Sequence, residues 1–272
     1  MTEFTSRHIE SLNTARPRIF RSVLPPLVTC GLLLGAWWIV VELFHVKSYF
    51  LPTPDEVLLA AWRVRVELLA GCWLTARAAV GGFVLSVITG SLISLVFSQF
   101  PTVRLGCFPY AVILQTVPIV ALAPIIINWQ GAGFQSVMLV SFIVSLFPII
   151  ANATAGLTSV DRSLLELFQL NQATRLQVIC KLQIPHAVAD LVTGARTSAG
   201  LAVIGAIVGE FFAGNSTRSH GLGFMIPRDI LRMKTDEAFA AVIAATALGI
   251  SMFALVSILR ATLLAKWCNA RP

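Results

Sequence analysis

Charge is scarce in this chain. Only 12% of its 272 residues are Asp, Glu, Lys or Arg, while 57% are hydrophobic. A soluble domain carries about a quarter charged residues. A water-soluble fold would have to hide several apolar runs inside one core, so the composition argues for a chain embedded in a bilayer. Catalytic signatures are missing as well. No GxxxxGK[ST] phosphate loop occurs, and no GxSxG nucleophile motif. His8, His45, His186 and His220 show no metal-ligand spacing. The five cysteines (Cys30, Cys72, Cys107, Cys180, Cys268) are far apart, odd in number and form no CxxC, so buried free thiols are expected and a metal or disulfide framework is not. GLGF at 221–224 follows no strand. An enzyme reading has little support, and no cofactor is expected in this chain. A membrane-embedded enzyme would need a His, Asp or Glu constellation at one depth, and the histidines are scattered. Internal repeats and low-complexity stretches are absent too, which leaves one membrane domain as the simplest division.

Long apolar runs are what the chain has instead. A spanning helix needs roughly 20 apolar residues, and six candidates are legible at 23–44, 78–98, 107–129, 135–157, 191–213 and 238–264. The third contains Pro109, Pro118, Pro124 and Gln115. Prolines are tolerated in membrane helices when neighbours satisfy the freed carbonyls, so a broken span is expected there. The fold class expected is all-α, a polytopic membrane protein with about six transmembrane helices. It divides into an N-terminal segment 1–22, a single transmembrane domain 23–264 and a tail 265–272. The first span is too long for a signal-peptide core and reads as an uncleaved anchor.

The net charge is +7. Its basic residues are scattered, with no aromatic-interleaved run, so topology explains them better than nucleic acid does. Arg7, Arg16, Arg18 and Arg21 precede the first span against Glu3 and Glu10. That cluster predicts a cytoplasmic N-terminus, and an even number of spans then returns the C-terminus to the cytoplasm. The outer segments carry Lys47, Arg63, Arg65, Arg218, Arg228, Arg232 and Lys234 as well, so the asymmetry is not clean.

Between the spans, local signals recur. Thr53, Pro54 and Glu56 have the spacing of a helix start. The helix they begin mixes Leu, Ala and Trp with Arg63, Arg65 and Glu67, and is expected at the interface or the outer face. WQGAG at 129–133 is a tight turn. Asp236 and Glu237 stand where a helix dipole favours acids.

The most informative stretch is LLELFQLNQATRLQVICKLQIPHAVADL, from Leu164 to Leu191, which interrupts the apolar sequence with a mixed polar run. Asp161 or Ser163 can cap its helix, and Ser163 with Glu166 has capping-box spacing. Leu167, Leu170, Ala173, Leu176, Ile179 and Leu182 step by three and predict a helical stripe. Pro185 is expected to stop the helix and turn the chain toward the bilayer. The run is longer than a connector requires. Two readings fit, an interfacial connector and a docking element for a partner.

The stretch from Glu166 to Pro185 resembles the cytoplasmic signature loop of ATP-binding-cassette importer permeases: E-A-A, three residues, G, nine residues, I, one residue, L, P. Glu166 takes the acid position, Leu167 and Phe168 replace the alanines, and Gln172 replaces the glycine. Leu182 and Ile184 take the aliphatic positions and Pro185 the proline. FLPTPDEV, TVPIVALAPIIINWQGAG, FPIIANATAGLTSVDRSLLEL and GLAVIGAIVGEFFAG with HGLGFMI resemble the nitrate, sulfonate and taurine branch, with ALAPIIINW and LAVIGAIVGEFF closest to permeases for thiamine pyrimidine precursors or riboflavin. The likeness covers roughly residues 25 to 265. It implies a type I importer permease in a cell (inner or plasma) membrane and a homodimeric pathway embedded in lipid. It also implies separate ATPase subunits that hold ATP and Mg, and a periplasmic or extracellular binding protein. The loop 158–190 would couple to the ATPase through Glu166, Gln172, Ala173, Thr174, Arg175 and Pro185. Gln at 172 is a departure, because Gln adopts positive φ less easily than Gly.

Polar residues inside spans default to functional hypotheses. Glu210 is therefore expected to border the pathway rather than only the lipid interface. Gln115, Pro118 and Asn128 on the broken span are the other pathway candidates. Arg196 is expected to face the cytoplasmic mouth or to pair with an acid, and Glu42 and Arg260 to reach for the interface. A stand-alone, ion-driven carrier is the alternative. Such carriers often show inverted repeats and denser intramembrane charge, and neither is legible here.

Overall fold

The computed structural model describes residues 16–214 and 220–268, with side chains over 24–214 and 220–259. Readings that rest on Arg7, on the side chains of Arg16, Arg18, Arg21 and Arg260, on Arg218, on Cys268 as a thiol or on the end of the tail lie outside those residues. Among the described residues all regular structure is helical. Five helices among those residues are long and apolar enough to cross a membrane, and a helix pair bent by 97° makes a sixth if it is counted as one broken span.

Helix α1 (Arg16–Leu43) carries Pro25 and Pro26 inside it. Its apolar side chains, Leu32 and Leu33 among them, are largely exposed, as lipid-facing residues should be. Helix α2 (Pro54–Arg63) starts as the sequence predicts: Pro54 is in the first turn and the Thr53 N–H donates to Glu56 Oε2 at 3.0 Å.

The chain then departs from expectation. Helix α2 ends at Val64, and Arg65 and Glu67 belong to the first turn of α3 (Arg65–Gln99), not to an interfacial helix. At about 1.5 Å per residue, a helix of 35 residues exceeds the ~30 Å hydrocarbon thickness. Hydropathy alone missed its first three turns, which are held by tertiary packing of Leu68, Gly71 and Thr75.

The third span breaks into α4 (Pro101–Thr116) and α5 (Ile119–Gln130). Val117 and Pro118 are extended, with ψ 124 and 117. The ring of Pro118 drives the preceding residue out of the helical region, so the break falls at this proline. Pro109 and Pro124 stay inside their helices. Gly131, at φ 83, makes the turn into α6 (Phe134–Thr158), and the Ser136 hydroxyl closes it on the Gly131 carbonyl. A left-handed φ is what glycine supplies cheaply.

Helix α6 lies between α3 and α9 (Ile184–Ala213) and forms the centre of the molecule with them. Small residues bring the backbones together: Gly82 faces Ser141 and Phe142, and Gly205 faces the backbone of Ser141. The hydroxyls left at those contacts bridge helices. Ser198 donates to the Ser145 carbonyl at 2.6 Å, Ser141 to the Ala202 carbonyl at 2.8 Å, and Ser94 to the Ile150 carbonyl at 3.1 Å. Lipid tails give helices no hydrophobic reason to associate, so close packing and such hydrogen bonds must do it. Helix α10 (Leu222–Leu231) and α11 (Thr235–Cys268) complete the fold, with α10 seated among α3, α9 and α11.

Candidate functional site

The polar stretch after α6 is built from short, capped pieces. Helix α7 (Arg162–Leu170) begins at Asp161, whose Oδ1 accepts from the Ser163 N–H at 3.0 Å. That bond favours the ionised form and lowers the Asp161 pKa. The cap is therefore Asp161, and Ser163 with Glu166 makes no capping box. Helix α7 ends at Asn171, and Gln172 then takes φ 52. The departure from glycine at this position thus leaves the left-handed turn in place with a side chain on it. Thr174 starts α8 (Arg175–Val178): its N–H donates to Gln177 Oε1 at 2.8 Å, and its Oγ1 accepts from the Gln177 N–H at 3.4 Å.

The predicted single stripe from Leu167 to Leu182 is thus wrong in form. The break at 171–174 contains Ala173 and leaves Leu167 and Leu170 on α7, Leu176 on α8, and Ile179 and Leu182 in the turn that follows. Leu167, Leu170 and Leu176 are 51%, 82% and 73% exposed, and neither helix has a buried residue.

The reading of Pro185 is also corrected, since the chain does not stop there. Residues 179–183 form a π turn in which the Ile184 N–H reaches the Ile179 carbonyl, and α9 runs on through Pro185 in its first turn. Proline lacks an N–H and crowds the carbonyl four residues back. One wider turn ahead of it absorbs both problems.

Two contacts tie this region to the spans. Gln99 Nε2 donates to Gln183 Oε1 at 2.8 Å, joining the end of α3 to the π turn. Ser159 Oγ and His186 Nε2 lie 3.2 Å apart. Neither pair is legible in the sequence, because the partners are far apart along the chain.

At the other end of the bundle, Glu210 on α9 is buried, with 8% of its surface exposed, so it does not reach out to the interface. One oxygen, Oε2, accepts from Thr75 Oγ1 on α3 at 2.9 Å and from the Gly223 N–H at 2.9 Å. Thr75 Oγ1 accepts in turn from the Leu222 N–H at 3.0 Å. The first turn of α10 is therefore capped by side chains from α9 and α3, not by its own N-cap, Gly221. Gly221 and Gly223 lie so close to Glu210 that a Cβ on either would overlap it. Glu210 also borders a cavity of about 60 Å³ with Leu74, Phe134, Val137 and Phe224. The signal that could have found this knot is a helix starting at Gly-Leu-Gly with no Ser, Thr, Asp or Asn to cap it.

The remaining pathway candidates are placed as follows. Gln115, Pro118 and Asn128 are exposed, while α5 packs on α6 through Ala123 and Ile126. They do not converge with Glu210 on one cavity. Arg196 meets no carboxylate among the described residues. Its guanidinium lies over the Phe253 ring at 4.3 Å, and its buried Nε has no hydrogen-bond partner among them. Glu42 is exposed at the end of α1.

Charges the sequence left scattered are paired near α10. The Arg228 guanidinium joins Glu67 of α3 to the fully buried Asp229, with 2.7 Å from Nε to Oδ1. This pairing, Asp229 first, raises the Arg228 pKa. Lys234 reaches Glu237 at 3.0 Å, and Arg63 lies 3.7 Å from Asp236.

A proline-broken span among several long apolar helices, with a capped polar segment between two spans, is the build of a polytopic membrane protein. Residues 82–267 match the family described as binding-protein-dependent transport system inner membrane component, and the chain belongs to it. It is a permease subunit of an ATP-binding-cassette importer and a multi-pass membrane protein.

It is 31% identical over 242 residues to the formylaminopyrimidine transport permease protein ThiX of Halalkalibacterium halodurans, covering 89% of this chain and 95% of that one. It is also 31% identical over 242 residues to the riboflavin transport system permease protein RibX of Chloroflexus aurantiacus, covering 88% of each. To the taurine transport system permease protein TauC of Escherichia coli it is 28% identical over 246 residues, covering 88% of this chain and 85% of that one. Among solved structures, the inward-facing MetNI methionine transporter has a chain of the same fold. The TM-score is 0.54 at 15% identity, covering 72% of this chain and 97% of that one.

Proposed function

We propose that α7 and α8 are the seat of a separate ATPase subunit that holds ATP and Mg, and that this chain converts closure of that subunit into movement of its spans. The observation that carries the reading is the state of Leu167, Leu170 and Leu176. They are exposed on two capped helices with no buried residue of their own. Apolar side chains held out on short helices suit a cleft in a partner. Gln172, Ala173 and Thr174 set the turn between the helices, and Glu166 and Arg175 supply charges beside it. Pro185 and the π turn lead from the seat into α9.

In this reading the N-terminus, the segment 158–190 and the C-terminus are cytoplasmic. The segments 45–64 and 214–234 and the start of α3 face outward, toward a substrate-binding protein. Two copies of the chain enclose the pathway, with the exposed residues Gln115, Pro118 and Asn128 on its wall. The solute is a nitrogen heterocycle of the formylaminopyrimidine or riboflavin kind, a class supported by two relatives at 31% identity. Small sulfonates of the taurine kind are the second class, supported by relatives at 28%.

The test uses the chain assembled with its ATPase and binding protein. Glu166→Lys and Arg175→Glu should leave the permease in the membrane but abolish the rise in ATP hydrolysis when loaded binding protein is added. Uptake should fall about tenfold, the scale of one lost hydrogen bond to a charged group. Normal uptake and normal stimulation in both variants would remove the docking role from these positions. Orientation is read separately: a cysteine at position 172, in an otherwise cysteine-free chain, should resist impermeant reagent added to intact cells.

A further inference from the structure

The end of the bundle that carries α7 also holds a cavity of about 350 Å³ between α4 and α6. Leu105, Phe108, Pro109, Ala151 and Ala155 give it apolar walls, and Arg104 stands at its edge. Arg104 lies in the first turn of α4, and Thr158, the last residue of α6, also lines the space. The cavity thus runs inward from the ends of two spans.

Thr158 donates to the Thr154 carbonyl at 2.8 Å, but the other two polar side chains on the cavity are unsatisfied. The half-buried Arg104 side chain has no carboxylate and no hydrogen-bond acceptor among the described residues. Of the chain's 13 acidic residues only Glu3 and Glu10 lie outside that set. Thr154 lines the cavity at 4% exposure, and its Oγ1 has no hydrogen-bond partner among the described residues. An acceptor placed in the cavity, met by rotation about χ1, would satisfy it.

We infer that this cavity holds an acidic phospholipid, its phosphate on Arg104 and an acyl chain along the walls of α4 and α6. The inference rests on the membrane placement of the chain and not on the ATPase seat. A cation at the surface above an apolar slot has the polarity of an anionic lipid. Basic pockets between spans recognise such headgroups, and the surface charge of the leaflet adds to the attraction. Helix α4 has no buried residue, and Leu105 is 75% exposed, so lipid can reach the cavity from the side.

The test is native mass spectrometry of the purified full chain, with phosphatidylglycerol and phosphatidylcholine of matched acyl chains in competition. The wild-type chain should retain phosphatidylglycerol about tenfold over phosphatidylcholine, as one charge-assisted contact implies. Arg104→Gln should bring the ratio to about one, and Arg104→Lys should keep most of it. Ala155→Phe, an exposed position on the wall, should reduce retention of both lipids. An unchanged ratio in Arg104→Gln would overturn the site. So would an Arg104-dependent rise in melting temperature with inorganic phosphate alone, which would mark a free-anion site. Loss of dimer signal in both variants, with lipid retention intact, would mean that a second copy closes the cavity.

Discussion

Thr75 and Glu210 are 135 positions apart in the chain, yet their side chains meet at 2.9 Å and jointly cap the first turn of a third helix. The carboxylate supplies the acceptor for Gly223, and the hydroxyl supplies the acceptor for Leu222. Thr75→Val should cost about 1–3 kcal/mol in detergent melting experiments, because a buried N–H then has no partner. Glu210→Ala should cost at least as much, and the double variant should cost clearly less than the sum. Additive losses would show that the three groups do not act as a unit. Glu210→Gln should assemble nearly normally and lower uptake.

The turn at Gln172 carries strain that glycine would not. A non-glycine residue in the left-handed region costs about 1–2 kcal/mol, and the extra freedom of glycine in the unfolded chain returns about 0.5–1 kcal/mol of that. Gln172→Gly is expected to steady the α7–α8 turn by up to about 1 kcal/mol. Slower hydrogen exchange at the Ala173 amide, which donates to the Phe168 carbonyl at 3.0 Å, would register it. Gln172→Val should do the opposite, since a β-branched residue is a poor fit at positive φ.

Two glycines of α9 should respond oppositely to the same change. A Cβ on Gly205 would sit 2.7 Å from the Ser141 Cα, so Gly205→Ala must push α6 and α9 apart. A loss of roughly 1–3 kcal/mol is expected. Gly200 meets nothing within 4 Å, and there the gain in helix propensity, about 0.5–1 kcal/mol, should dominate. Melting temperatures of the two variants should move in opposite directions.

Arg196 rests on Phe253 with its charge unpaired among the described residues. Phe253→Leu should cost about 1 kcal/mol, the scale of a cation–π contact at an exposed ring. Arg196→Leu should leave the melting temperature nearly unchanged, because it removes the cost of the buried Nε along with the stacking. A large drop in that variant would reveal a counter-ion.

The sequence alone determined the chemistry of the environment and the periods that follow from it. Scarce charge and long apolar runs fixed membrane helices, because a bilayer core leaves backbone polar groups only intra-segment partners. A break in the proline-rich third span, the turn at Gly131 and the start at Thr53 were legible because each depends on residues a few positions apart. Tertiary structure decided the rest. Hydropathy placed the start of the second span near residue 78, but α3 begins at Arg65 because Leu68 and Thr75 pack against α10. Arg228 pairs with Glu67 across 161 positions, and Gln99 with Gln183 across 84. Composition showed that Glu210 was costly in an apolar helix. Which groups relieve that cost depends on how α3, α9 and α10 pack together, and side-chain hydrogen bonds between helices leave no periodic trace along any one of them.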